Sequence, residues 1–345
     1  MQLPIVSPTI KHCPTETYLL SILQCHPQTN PWIFNNFFNI MINRETVFDD
    51  FFRTSMFFDC PFISESRIQY TFVKKLGKDF STFIEESVRN GFYVSLEINR
   101  NKSFLPYYTT ITVDRRHYVL IYGFDEHTEE FLYSDFYSPS CIFAQTYIQK
   151  LRVHKNLLNK SLNNLGLFTE YNSGATDFIR LLYFDSTFQY EYSRSFTKRQ
   201  LYNFLSSQNL YDMMPIPVIN MHYRTFTKKQ ADQFEFGLNT FDVVINALRE
   251  DRLYSIRPLS LFYHFSKIWL KHIEFLVTLD SDRFIFCNLI KEVSSWKSFS
   301  ESVLIKGMIY MKKGKQLQNT QDLIKQISIL KNQTRSVLEH ISEKI

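Results

Sequence analysis

An α+β fold is predicted for this chain, with an antiparallel sheet in its middle and helices at both ends. Three observations carry that reading. Residues 92–98 alternate apolar and polar side chains, and residues 117–124 and 130–135 are apolar runs rich in Val, Ile, Tyr and Phe separated by a short polar turn. Residues 14–23 and 78–90 repeat their apolar positions at helical spacing. Beyond Thr197 the pattern is almost entirely helical. With 345 residues, 44% of them hydrophobic, the chain can bury a substantial core. The expected division is residues 1–194, carrying the sheet, and residues 195–345, a mainly helical part that covers or flanks it.

The first helix is predicted over Pro14–Leu23. Proline suits the first helical position because its missing N–H would be unpaired there. Glu16 suits the first turn, and Tyr18, Leu19, Ile22 and Leu23 form an apolar stripe. Residues 25–31, with two prolines, read as a loop. Residues 32–59 hold eight phenylalanines and read as short helices packed on the first. A helix over residues 78–90 turns Phe80, Phe83, Ile84 and Val88 to one side and stops at Gly91. Strands follow at residues 92–98, 117–124 and 130–135, the last two as an antiparallel hairpin. Residues 145–164 read as helical, and Phe178–Phe184 and residues 188–192 as strands. Thr197 is a candidate N-cap for a helix at 198–205, and residues 213–217 are a linker. Thr227 is a candidate cap for a helix through Phe234, Phe236 and Phe241 to Leu248. Helices at 259–279, 284–311 and 320–345 complete the chain. In the last, Leu323, Ile324, Ile327, Leu330, Val337, Leu338 and Ile341 recur at near-heptad spacing, which reads as a bundle seam.

Composition excludes several classes. The five cysteines, Cys13, Cys25, Cys60, Cys141 and Cys287, have no CxxC pair and no zinc-like spacing with histidine. Neither a disulfide framework nor a structural metal is indicated. No apolar run reaches the ~20 residues of a membrane span, and no signal peptide is apparent at the N-terminus. A cytoplasmic location is expected. The net charge of +5 is uneven: residues 195–345 hold 21 Lys+Arg against 14 Asp+Glu (+7), and residues 1–194 hold 18 against 20 (−2). An acidic partner would be steered to the helical part. Nucleic acid is not expected, because the basic residues are dispersed and no recognition module is present.

The chemistry centres on three residues. Cys13 directly precedes Pro14, at the N-cap, where unpaired N–H groups and the positive end of the dipole favour a thiolate. An activated thiol needs a base within reach, and the base needs an orienting group. His117 begins one strand of the hairpin and Asp135 ends its partner, so the ladder sets them side by side. A helix packed across that end of the sheet brings Cys13 to the imidazole. Other assignments were weighed against these. Cys25 adjoins a helix end, where the dipole has the wrong sign for a thiolate. Asp125 belongs to a Gly-Phe-Asp turn, where aspartate serves the backbone. Asp114-Arg115-Arg116 reads as a salt-bridge cluster or, alternatively, as a phosphate contact. His12 reads as an exposed neighbour of Cys13. His127, His154, His222, His264, His272 and His340 have no partner visible in the sequence.

The order Cys, His, Asp is that of papain-like enzymes. His-Tyr-Val-Leu-Ile-Tyr-Gly-Phe-Asp (117–125), followed by Phe-Leu-Tyr-Ser-Asp (131–135), resembles the H-x-V-x-x-x-G-[YF]-D … D block of cysteine enzymes related to bacteriocin-processing peptidases. With His-Cys-Pro-Thr-Glu-Thr (12–17) and Phe-Glu-Phe-Gly-Leu-Asn-Thr-Phe (234–241), the chain resembles the butirosin-biosynthesis acyltransferase family. That family includes amide-forming enzymes of thiotemplated pathways such as closthioamide biosynthesis. The resemblance implies a papain-like fold and acyl transfer in antibiotic biosynthesis. Cys13 would be the nucleophile, His117 the general base and later acid, and Asp135 its orienter. The Cys13 N–H would be one oxyanion donor. It further implies an acyl or peptidyl carrier protein as donor, a small amine or diamine as acceptor, and no cofactor bound by the enzyme itself. Papain-like enzymes carry a Gln shortly before the Cys; residues 7–12 have none, which leaves the second oxyanion donor unassigned. Two other readings stay open: a cysteine peptidase or amidase with the same triad, and a non-catalytic binding module on the fold.

Overall fold

The computed structural model describes residues 1–37, 39–51, 60–101, 105, 107, 116–137, 146–165, 178–210, 232–279, 283–313 and 317–345. Helix α1 (Pro14–Leu23) is followed by a 3₁₀ turn (Pro27–Thr29) and α2 (Asn30–Asn36). The prolines expected to break structure here instead occupy first-turn positions of these two elements. Next come β1 (Ile40–Asn43) and β2 (Asp49–Phe51), so residues 32–59 supply a hairpin as well as a helix. Neither β3 (Ile63–Gln69) nor α3 (Tyr70–Lys75) was anticipated. Helix α4 (Phe80–Arg89) ends as expected, with Gly91 at φ +86, a left-handed conformation that glycine adopts freely.

Strands β4 (Tyr93–Asn99), β5 (Arg116–Asp125) and β6 (Glu130–Tyr137) match the expected ones. Residues 145–164 do not form one helix. They divide into β7 (Thr146–His154) and α5 (Lys155–Asn163). Leu151 and Val153 are buried with Arg152 exposed between them, a period of two, and the His154 ring caps α5 by accepting the Asn156 N–H at 3.2 Å. Strand β8 (Phe178–Phe184) follows. Residues 188–192 form no strand; Tyr190 and Tyr192 instead lay their rings against the helical core.

Helix α6 (Arg194–Leu205) is capped by Ser193, which accepts the Phe196 N–H at 3.2 Å, and not by Thr197. Thr197 lies wholly buried one turn in, where its hydroxyl meets Asn35 Nδ2 at 2.8 Å. The helix expected through Phe234 and Phe236 is interrupted: those residues form β9 (Phe234–Phe236). Gly237 then turns the chain at φ +54, and a Cβ there would meet the Phe204 carbonyl oxygen at 2.1 Å. Helix α7 (Asn239–Arg249) begins only beyond it. Three long helices close the chain, α8 (Arg257–Leu279), α9 (Arg283–Lys313) and α10 (Leu317–Lys344). Residues 213–217, Thr227, Cys141, Asp114, Arg115 and His222 lie outside the described residues.

Six strands make one antiparallel sheet in the order β3-β8-β4-β5-β6-β7, and β2-β1-β9 make a second. One face of the large sheet packs on α3–α5 through a cluster including Ile84, Val88, Leu96, Val119, Phe131 and Leu158. The other face joins α1 and the helical part in a larger cluster, from Ile10 to Ile341. The expected boundary at residue 194 thus falls inside one shared core, and β9 pairs with β1 across it. Of the seam positions of the last helix, all but the half-buried Ile324 are buried, and Trp296 Nε1 donates to Thr334 Oγ1 at 2.9 Å. Among the described residues, no helix is long and apolar enough to cross a membrane.

Candidate active site

Antiparallel pairing places the end of β4, the start of β5 and the end of β6 at one edge of the large sheet. Helix α1 lies across this sheet, and two contacts fix its direction. Just past its C-terminus, the His26 ring stacks on Phe184 at 3.8 Å, by the start of β4. At mid-helix, Tyr18 donates its hydroxyl to the Tyr118 carbonyl at 2.8 Å. The Tyr18 hydroxyl is held well above its ordinary pKa, first by burial and then by the negative charge of Asp135. The N-terminus therefore points to the edge that carries His117 and Asp135. Cys13 stands five residues before Tyr18, about 7.5 Å further along the axis.

The expected pair meets. His117 Nδ1 lies 2.8 Å from Asp135 Oδ1, Asp135 is fully buried, and the His117 side chain keeps 17% of its surface exposed. Sequence reasoning missed the third member of this group. Arg100, one residue beyond β4 and 2% exposed, donates Nε to Asp135 Oδ2 at 2.9 Å and Nη2 to Asp135 Oδ1. Its Nη2 also donates to the Phe136 carbonyl and lies 2.5 Å from His117 Nδ1. A guanidinium has no acceptor, so it competes for the nitrogen that Asp135 would orient. On that ring nitrogen, Asp135 Oδ1 and the Tyr118 carbonyl (2.9 Å) invite a proton, and Arg100 opposes one.

Cys13 is the N-cap of α1, extended at φ −137 and ψ 162, and 5% exposed. Its sulfur makes no capping bond to the first-turn N–H groups; the thiol donates instead to Glu16 Oε2. Glu16, read from the sequence as a first-turn acid, is itself 3% exposed. The i, i+3 spacing is that of a capping box.

The remaining candidates resolve differently. His12 is not an exposed neighbour: its side chain is 1% exposed, with Nε2 at 2.7 Å from Asp49 Oδ2. The cause is β2, which sets Asp49 beneath the loop before α1, and His264 of α8, whose ring centroid lies 6.4 Å from that of His12. Asp125 accepts the His127 N–H at 3.0 Å and pairs with Arg152 at 3.3 Å, a turn role. Burial raises the Cys25 thiol, which disfavours it as a nucleophile. Cys25 and Cys287 carry free thiols. Arg116 pairs loosely with Glu97 at 3.9 Å. His154 has Glu129 at 3.6 Å, His272 has Tyr192 Oη at 2.7 Å, and His340 has Glu292 at 2.7 Å. Among the described residues, no group of three or more His, Cys, Asp or Glu is arranged to hold a metal ion.

No protein-family model matches this chain. No curated protein shows significant similarity to it either. The functional reading therefore rests on the site and on the residues quoted above.

Proposed function

We propose that the chain is a cysteine-dependent acyltransferase of papain-like fold. It moves an acyl or peptidyl group from a carrier-protein thioester to Cys13 and then to an amine, forming an amide. One observation carries the reading: the N-terminus of α1, bearing Cys13, is directed to the sheet edge where His117 pairs with Asp135 at 2.8 Å. The order and type of these residues also resemble the butirosin-biosynthesis acyltransferase family.

In the first half-reaction the Cys13 sulfur attacks the thioester carbonyl, the carrier thiol leaves, and a new thioester forms on Cys13. In the second, an amine attacks that thioester. His117 takes the proton from the amine nitrogen and returns it to the departing Cys13 sulfur. The developing oxyanion meets the Cys13 N–H at the helix start. The +7 charge of residues 195–345 favours an acidic carrier as the partner.

The test is a carrier protein loaded with an acyl chain and supplied with a diamine. Amide from the wild type and none from Cys13→Ala supports the reading. Amide from the variant overturns it, and free acid as the sole wild-type product identifies a peptidase or amidase. A second reading, a non-catalytic module, is favoured by Arg100. Its guanidinium occupies both Asp135 oxygens, which weakens the carboxylate's hold on an imidazolium.

A further inference from the structure

We propose that Glu16 is a catalytic residue, the proton partner of the Cys13 sulfur. The assignment deepens the acyl-transfer reading, on which its catalytic half rests.

The thiol of Cys13 donates to Glu16 Oε2, and both side chains are buried, at 5% and 3% exposed. A hydrogen bond given by the neutral thiol stabilises the protonated form, and the carboxylate charge opposes a thiolate beside it. The helix start acts in the opposite sense. Among the described residues, the other titratable and charged groups around this helix start include Arg100, His117 and Asp135 on the sheet edge and Lys11, His12, Asp49, Arg257 and His264 on the opposite side. His117 Nδ1 is engaged by Asp135 and Arg100, whereas Glu16 reaches the sulfur directly. The acceptor of the Cys13 thiol hydrogen is thus a carboxylate on its own helix.

Such a partner fits thioester exchange, which needs no net proton. As the Cys13 sulfur bonds to the acyl carbon, its proton passes to Glu16. As the bond between acyl carbon and donor sulfur breaks, Glu16 delivers that proton to the leaving thiolate. Carboxylate and thiol count are the same before and after.

Glu16→Gln tests the assignment, because glutamine is accepted at this capping position and cannot carry the proton. The rate of Cys13 alkylation by iodoacetamide is followed by peptide mass spectrometry on the full chain from pH 5 to 10. Glu16→Gln is expected to react at least about tenfold faster than wild type at pH 7, with the midpoint of its profile at least about one pH unit lower. Glu16→Ala, which removes the cap as well, is expected to move the same way, and circular dichroism checks that both variants fold. A variant rate equal to or below that of the wild type overturns the proposal, since a purely structural cap would not speed the thiol. A parallel arm supplies the acetyl thioester of N-acetylcysteamine. A wild type that takes up no acetyl group while Glu16→Gln still accelerates alkylation retains Glu16 as the proton partner and removes acyl transfer. Acetyl uptake with unchanged alkylation removes Glu16 and retains acyl transfer.

Discussion

Two buried polar clusters flank the start of α1, and they differ in how completely their atoms are paired. On the sheet side, Asp135 binds Arg100 through both oxygens and His117 through one, and the Arg100 fork also reaches the Phe136 carbonyl. On the helical side, His12, Asp49, Arg257 and His264 are drawn together without such order. His12 Nε2 and Asp49 Oδ2 lie 2.7 Å apart but out of line for a hydrogen bond, and Arg257 Nε is 3.7 Å from Asp49. Both His12 nitrogens, Asp49 Oδ2, Arg257 Nε and His264 Nδ1 lack a hydrogen-bond partner. Similar residue types thus produce two different devices, and the arginine is buried in the first and 39% exposed in the second. A fully bonded fork gives its carboxylate fixed, directional partners. A loosely paired cluster supplies attraction without direction, and it tethers the loop before Cys13 to β2 and α8.

The largest effect expected from this contrast is on turnover. His117→Ala should lower acyl transfer by about 10²–10⁴-fold, the range for a lost acid–base group, with little loss of stability because the ring is partly exposed. Transfer rates within a few-fold of wild type would break the assignment. Asp135→Ala should next cost about 3–5 kcal/mol in urea unfolding, because it strands a buried guanidinium. A loss under about 1 kcal/mol would show that the fork is not the ordered cluster.

The helical side should respond to acid. Burial pushes His272 from near 6.5 down to about 3, and burial, then the nearby His12 and Lys267, holds His264 well below its ordinary value. Both are neutral in the folded chain, while the unfolded chain binds their protons below about 6.5. Their stabilising contribution is therefore complete above that pH and is lost as pH falls toward 3. His272 should remove about 2 kcal/mol between pH 6.5 and 5, and His264 should add a loss in the same direction, measured as a falling urea midpoint. A flat profile would contradict the burial of these rings. The smallest effect belongs to His264→Leu. It removes a ring with one unmet nitrogen and should stay within about 1 kcal/mol of wild type at pH 7 while flattening the acid loss.

Much of this was legible in the sequence, and the parts that were not share a cause. The first helix, the β5–β6 hairpin and the His117–Asp135 pairing follow from local signals: a proline after a cysteine, period-2 alternation, and the register of a short turn. Strand β7 was read as helix because its mixed polar pattern becomes a strand only through its partner β6. Strand β9 was read as helix because its pairing with β1 spans nearly 200 residues. Arg100, Asp49 and Glu16 were not singled out for the same reason. Their roles come from atoms brought together by the sheet edge and by α1, and no spacing rule announces a guanidinium between a histidine and an aspartate. The Ser193 cap was missed because Thr197, four residues later, is an equally suitable residue type.

The central claim is that Cys13 carries the acyl group. Its most direct test is peptide mapping of the intact chain after brief incubation with an acylated carrier protein. The expected result is one acyl mass, bound through a thioester, on the peptide containing Cys13 and absent from Cys13→Ala. An acyl mass on Cys25, Cys60 or Cys287 instead, or equal labelling of the Cys13→Ala chain, would contradict it.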